Sequence, residues 1–350
     1  MSKHSPRPND RPSTATLSDT AQLREEVARF QTPDASKGLV QIATSFGGFF
    51  ATCAAMCVLA DFSNWLAVLL SPLAGGFLMR IFVIQHDSGH GSFFANRRAN
   101  AVAGIACSLL TMTPFPSWRR QHAGHHATWN DLDHREVADM YSSCLTVGEY
   151  RAMSRHQRLW HRVTRNPLFA KVVLPPFIFT LLYRTPFDIP KSWRYERRVL
   201  HFTSLGVVVG MTGLSLALGY ADVLVVQLSA VAFAAIVGSC MFSVQHRAEG
   251  TRWARHDDWN RTWASLEGTT YFRLPWLLNW FTGNIGFHHV HHLNSSVPNY
   301  RLRACHDRIA PLLNTQILSM RSAYRVLRFT LWDEEARAMT TFRAADRLST

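Results

Sequence analysis

Hydrophobic residues in this chain are clustered rather than dispersed, and four clusters approach or exceed the roughly 20 largely apolar residues that a helix needs to cross about 30 Å of hydrocarbon. GLVQIATSFGGFFATCAAMCVLA (38–60) and FSNWLAVLLSPLAGGFLM (62–79, running on through Arg80 to Gln85) make one pair. VLHFTSLGVVVGMTGLSLALGYA (199–221) and VLVVQLSAVAFAAIVGSCMFSVQ (223–245) make the other. The turns within the pairs, around Asp61 and Asp222, are very short, so each pair reads as a transmembrane hairpin. Neither turn carries Lys or Arg, whereas the connection 86–198 is rich in arginine. The bias of cytoplasmic loops towards basic residues then puts both turns outside, with both termini, 86–198 and 246–330 in the cytoplasm. Two weaker apolar runs, 101–115 and 172–183, are short or proline-broken and are expected as interfacial or re-entrant helices.

The fold this pattern predicts is an all-α integral membrane protein, with four transmembrane helices in two hairpins under a cytosolic helical cap. Residues 1–37, rich in Pro, Ser, Thr, Asp and Arg without periodicity, are expected as a disordered cytosolic tail apart from a short helix around LSDTAQLREEVARF. No apolar run follows the first basic residues, so a secretory signal is not expected. A single membrane domain is expected over 38–330, and residues 331–350 as a C-terminal tail.

Composition narrows the partners. The formal charge of +13, from 37 Lys+Arg against 24 Asp+Glu, could suit nucleic acid, but no basic segment is interleaved with stacking aromatics or a reading motif. An anionic membrane surface is the expected counterpart. The six cysteines (Cys53, Cys57, Cys107, Cys144, Cys240, Cys305) have no CxxC spacing, which argues against a disulfide framework or a zinc ribbon and for a reducing compartment.

Histidine changes the picture most. Of 17, ten fall in four groups: His86 and His90 in HDSGH; His122, His125 and His126 in HAGHH; His246 in VQHRAEG; and HHVHH, with His288, His289, His291 and His292. Positions three and four apart share a helix face, so these spacings present imidazoles together. An even number of crossings brings all four groups to one side of the membrane. Eight or nine imidazoles exceed what one ion uses, because a zinc site takes four ligands and a catalytic one three. Two metals are therefore expected, although imidazole alone suits zinc, copper, iron or nickel. Open coordination beside an apolar membrane points to redox chemistry on a lipid rather than to hydrolysis. His4, His134, His156, His161, His201, His256 and His306 lack such spacing and read as ordinary residues.

The set HDSGHGSF, RRQHAGHHATWND, VQHRAEGTRWARHDDW and NIGFHHVHHLNSSVPNYRL resembles the membrane fatty acid desaturases, in particular the bacterial and cyanobacterial acyl-lipid Δ12 or ω type, over residues 40–330. The resemblance implies a non-haem site of two iron ions, O2 as co-substrate, and electrons from an external donor. Carried over residue by residue, the metal ligands are His86, His90, His122, His125, His126, His246, His288, His291 and His292. His289 is an extra histidine in the last box, where spacing favours His288. The resemblance further implies a cis double bond introduced into a membrane-lipid acyl chain. No HPGG motif of a fused cytochrome b5 and no iron–sulfur cysteine set occurs, so ferredoxin with its reductase is the expected donor. The bacterial inner membrane is the expected location.

Asp87, Asp131 and Asp133 could orient histidines or serve equally as caps and salt-bridge partners. Gly89, Gly91 and Gly124 suit either close approach or plain packing. Arg97, Arg98, Arg119 and Arg120 could meet lipid phosphates or an acidic carrier, or simply satisfy topology. The rival enzyme readings are a histidine-box hydroxylase and a carotenoid oxygenase. The rival of another class is a membrane metal transporter or sensor, whose ligands should line the crossings rather than gather beyond their ends.

Overall fold

The computed structural model describes residues 17–135, 144–313 and 315–347. Residues 1–16 and 348–350 of the two expected tails lie outside the described residues. Helix α1 (Leu17–Ala28) is followed by α2 (Ala35–Ala60), which starts where the Asp34 carboxylate accepts a hydrogen bond from the Lys37 N–H at 3.1 Å. The expected second crossing is built as two helices, α3 (Asn64–Leu69) and α4 (Ser71–His90). The break falls at Leu70, just before Pro72, whose fixed φ and missing N–H suit the first turn of a new helix. HDSGH forms the last residues of α4, and Gly91 ends the helix at φ 74°, a left-handed conformation that glycine adopts without Cβ penalty.

Helix α5 (Arg97–Thr111) is capped by Asn96 and packs on α4. It is followed by α6 (Phe115–Thr128), which carries HAGHH. Beyond it, α7 (Val147–Ala152) and α8 (Arg155–Thr164) each open on a capping box, Thr146 with Glu149 and Ser154 with Gln157. The segment Phe169–Arg184, which includes α9 (Leu174–Thr180), meets α8 at a 50° bend, the geometry of a broken span or a re-entrant segment.

The second helix pair is α10 (Arg194–Leu218) and α11 (Tyr220–His246). Its turn lies at Gly219 (φ 100°), three residues before the expected position. Glycine supplies the positive φ, while Asp222 lies in the first turn of α11, where the helix dipole favours a carboxylate.

The remaining elements are α12 (Arg261–Leu266), α13 (Trp276–Phe281), α14 (His288–Leu293), α15 (Asn299–Ile309), α16 (Met320–Val326) and α17 (Phe342–Arg347). Five short strands correct the all-α expectation to a mostly helical fold. Strand β1 (Leu145–Thr146) pairs in parallel with β4 (Leu331–Asp333), which pairs antiparallel with β5 (Ala338–Thr340). Strands β2 (Tyr271–Phe272) and β3 (Ile317–Leu318) form a second, parallel pair.

Three helices among the described residues are long and apolar enough to cross a membrane, within Ala35–Ala60, Arg194–Leu218 and Asp222–His246. Leu39, Val40, Phe50 and Val58 on α2 and Phe202, Leu205, Val208 and Val209 on α10 point outward, exposed, as lipid-facing side chains do. Helix α4 lies inside this set, packed on α2, α5 and α11, and buries polar Gln85, His86, Asp87 and Ser88 near its end.

One buried cluster, including Phe49, Met56, Leu78, Ile81, Ile84 and Val226, fills the space among these helices. A second, including Val244, Ile285, Val290, Leu302 and Ile309, fills the cap. Two segments expected as loose tails join such clusters. Leu23 and Val27 of α1 are buried in the cap core, and Arg308 donates to Glu26 at 2.6 Å. Leu331, Trp332 and Ala345 are buried as β4 and α17 fold back on α7 and β1. Apolar residues spaced along short elements, rather than long runs, hold both segments down.

Candidate metal centre

The ends of α4 and α11, the last two turns of α6 and the whole of α14 converge. Helical spacing places His86 and His90 one turn apart, with ring centroids 4.8 Å apart. His122 and His126 are likewise one turn apart on α6, their Nε2 atoms at 3.2 Å, and His291 Nε2 approaches His126 Nε2 at 2.9 Å. These five residues form one group, each offering a nitrogen within 4.8 Å of the others.

His125, His246 and His292 form a second group by the same measure, and His288 Nε2 lies 2.8 Å from His246 Nε2. The two groups adjoin through the stacked rings of His126 and His292, 4.2 Å apart. Each of the two long boxes is therefore split. Successive helical residues point about 100° apart, so His126 faces one group and His125 the other. His291 and His292 divide in the same way.

All nine histidines expected as ligands are brought together. His289, left open by spacing, turns away: its Nε2 lies 3.0 Å from His306 Nδ1 on α15. His134 and His256 gather elsewhere, where Asp131 Oδ2 accepts from both at 2.8 and 2.7 Å. Asp133 takes the His256 N–H and the Arg255 guanidinium. Of the three candidate carboxylates only Asp87 touches the nine histidines. Its Oδ1 lies 2.9 Å from His86 Nδ1, and its Oδ2 accepts from Asn299 N–H at 2.6 Å and Asn299 Nδ2 at 2.8 Å. That pairing leaves His86 Nε2 to face the group.

Among the candidate glycines, Gly91 supplies the left-handed cap, and Gly89 makes room for Trp118, whose ring would lie 3.1 Å from an added Cβ. Arg120 pairs with Glu196 at 3.0 Å and stacks on Trp193.

An aromatic wall closes the site. Trp118 stacks on His122 at 4.7 Å, Trp129 packs on His246 at 3.9 Å, and Phe242 covers His125 and His246. Burial, and after it the neighbouring imidazoles, drives His122, His126, His291 and His292 well below the ordinary histidine pKa. Burial lowers His125 to about 3. At neutral pH these rings are uncharged and each keeps a lone pair.

Several of those lone pairs have no hydrogen-bond partner, on buried atoms such as His90 Nε2, His125 Nδ1 and Nε2, and His292 Nε2. Buried polar atoms are ordinarily satisfied. Three Nε2 atoms meeting at His126 cannot all be satisfied by the one proton that each neutral ring carries. Two adjacent metal ions would satisfy both groups, so the residues fit such a centre. The wall residues Trp118, Trp129 and Phe242, and Asn299 behind Asp87, were not singled out from the sequence. Trp118 precedes His122 by one turn, Trp129 follows His125 by one turn and Phe242 precedes His246 by one turn, which was the available signal.

The histidines stand at and beyond the ends of the long helices rather than along them, which disfavours the transporter reading. A family model described as fatty acid desaturase matches residues 63–324. A fatty acid desaturase of Bacillus subtilis is 36% identical over 323 residues, 92% of this chain and 91% of that protein. Two Synechocystis proteins are each 26% identical: an sn-1 acyl-lipid omega-3 desaturase (ferredoxin), over 69% of this chain and 66% of its own, and an sn-1 oleoyl-lipid 12-desaturase, over 67% and 66%.

Proposed function

The chain belongs to the fatty acid desaturase family of oxidoreductases, and on that premise we propose that it introduces a cis double bond into an acyl chain of a membrane lipid, as a desaturase of the Δ12 or ω type. The observation that carries the site assignment is the convergence of nine buried or half-buried histidines from four helices into two adjoining groups. His86, His90, His122, His126 and His291 would hold one iron ion, and His125, His246, His288 and His292 the other. Iron held there supplies, with O2 and two electrons from an external donor, the oxidising power to take two hydrogens from adjacent methylenes.

The chain's own residues contribute position and environment. Asp87, itself fixed by Asn299, holds the His86 ring with Nε2 turned inward. Trp118, Trp129 and Phe242 keep water from the rings and set a low dielectric around them. An unactivated methylene offers no acid or base a handle, so no general acid or base is assigned.

Helix α4, flanked by α3, serves as the fourth crossing, paired with α2, and α10 pairs with α11. The cap, the metal groups and both termini then face the cytoplasm of a bacterial inner membrane, by the distribution of arginines. Ferredoxin with its reductase is the proposed electron source, in line with the acyl-lipid relatives that are named for ferredoxin.

The test is expression in a host of defined lipid composition, with an active donor, followed by mass-spectrometric location of double bonds. New unsaturation in membrane lipids is expected, and its loss with His125→Ala or His291→Ala. Unchanged lipids despite a chain loaded with two irons and a working donor would refute the acyl assignment, and full turnover by either variant would refute the ligand set.

A further inference from the structure

A cavity of about 250 Å³ lies between α2, α4, α13 and α15. Gln41 of α2, Arg80 of α4, Trp280 of α13 and Arg303 of α15 all line it. Gln41 is buried, its residue exposure being 3%, yet neither its Nε2 nor its Oε1 has a hydrogen-bond partner. A buried amide left unsatisfied costs about 1–3 kcal/mol, so its retention inside a membrane helix needs a reason. Arg80 stacks on the Trp280 ring at 4.0 Å and donates to the Trp280 carbonyl, while its Nε remains unpartnered. Neither Arg80 nor Arg303 forms an ion pair among the described residues. Two guanidiniums and an amide donor therefore converge on one concave space with no anion of the chain to neutralise them.

The rim says where this space lies. Trp276, 74% exposed, lines the opening, and Leu277 and Leu278, which follow it on α13, are exposed as well. Exposed tryptophan next to arginine is the pattern of a membrane–water boundary. A second cavity of about 320 Å³ shares Trp276, Asn279 and Arg303 and adds Arg273 together with the carboxylate of Asp307, so the acid-free part of the space is the first cavity, which has room for a phosphate. The inner wall includes Asn299, whose side chain donates to Asp87, which in turn holds His86. Two side chains, Asn299 and Asp87, thus link the cavity wall to His86.

We propose that this cavity binds the phosphate of a glycerophospholipid at the membrane surface and so anchors the lipid whose acyl chain is the substrate. Arg80 and Arg303 pair with the phosphate oxygens, for which guanidinium geometry is suited, and the Gln41 amide donates to it. This rests on the acyl-lipid reading above and names the lipid class.

The test uses the full iron-loaded chain in detergent and native mass spectrometry with dihexanoyl phosphatidylglycerol, dihexanoyl glycerol and inorganic phosphate. The phospholipid should bind at least about tenfold tighter than the neutral lipid, as the loss of a charge-assisted hydrogen bond implies. Arg303→Gln, at an exposed position, and Gln41→Leu, which removes an unsatisfied amide, should each abolish that preference with iron content unchanged. Arg343→Gln, on α17, should retain it. Equal binding of the two lipids, or an unaltered preference in Arg303→Gln, overturns the proposal. Displacement of the phospholipid by equimolar inorganic phosphate would assign the cavity to a free anion and overturn it too. New double bonds in phospholipids, together with an indifferent Arg303→Gln, sink this site and leave the desaturase reading standing. Tight, Arg303-dependent phospholipid binding with no new unsaturation sinks the acyl-lipid reading and leaves the site standing.

Discussion

Replacing Asp87 by Asn changes one atom, and the surrounding hydrogen bonds dictate the result. In the native chain Oδ2 accepts two bonds, from the N–H and the Nδ2 of Asn299, at 2.6 and 2.8 Å, and Oδ1 faces His86 Nδ1 at 2.9 Å. Two converging donors on the Asn299 side force the introduced amide to turn its oxygen there. Its NH2 then faces His86 Nδ1, which must become the acceptor. A neutral imidazole carries one proton, so that proton moves to Nε2, the nitrogen turned towards the metal group. The variant loses a charge-assisted bond in a site 1% exposed, worth about 1.5–3 kcal/mol. It also presents the wrong tautomer, and changes in residues that orient metal ligands cost about 10–100-fold in metal affinity. The assay is iron retention against a graded chelator, read by elemental analysis, with thermal unfolding of the metal-free chain alongside. Asp87→Asn should release iron at about 10–100-fold lower chelator concentration. Iron retention equal to that of the native chain would show that His86 needs no orienting carboxylate.

Three further outcomes follow from parts of the fold outside the metal groups. The Asp131 hydrogen bond raises His256 above its ordinary value; the contribution is full below the unfolded pKa of about 6.5 and lost as pH rises through the folded value. Burial raises Asp131, but hydrogen bonds from His256, the Asp133 backbone and His134 outweigh it and the net pKa is lowered, so its contribution is lost as pH falls through that lowered value. Stability measured by denaturant at a series of pH values should therefore fall on both sides of mildly acidic pH, and Asp131→Asn should flatten the curve; an unchanged curve contradicts the pairing. Gly91→Ala meets no neighbouring atom within 4 Å, so only its φ of 74° is penalised, and a loss of about 1 kcal/mol is expected by chemical unfolding, with none expected if the helix end were not left-handed. Leu23→Ala should destabilise by about 2–5 kcal/mol, since Leu23 is 4% exposed in the cap core, whereas a disordered tail would register no change.

The histidine boxes were legible because their spacing is a helix period, and all four lie on helices or at helix ends. What spacing could not give was the partition between the two groups. Whether His125 and His126 share an ion depends on the rotation of α6 relative to α14, a tertiary quantity with no local signal. His246 was legible as the last residue of an apolar run, whereas His289, with the same neighbours as His288, was separated only by the position of His306 on another helix. Long apolar runs announced α2, α10 and α11. The turn at Gly219 was displaced because Asp222 looked like a break and is instead a favoured first-turn residue. The short strands and the docking of α1 and α17 rest on two to four apolar residues each, too few for periodicity to register.

The apolar layer also governs the metal groups from a distance. Helices α4 and α11 pack against each other, and their cap-side ends carry His86, His90 and His246. Their contact is close because Gly75 has no Cβ; one there would lie 2.6 Å from the Phe233 ring and 3.1 Å from the Ala230 carbonyl. One turn further along, Met79 Sδ lies 3.6 Å from where a Cβ on Gly238 would sit. These contacts fix how far α4 can slide or turn against α11, and a helix advances about 1.5 Å and about 100° per residue. A slip of one residue would carry His86 and His90 off the face they share with His122, His126 and His291. The small residues between α4 and α11 and the imidazoles at the helix ends therefore constitute one device, in which packing among apolar side chains sets the distance between ligands on different helices.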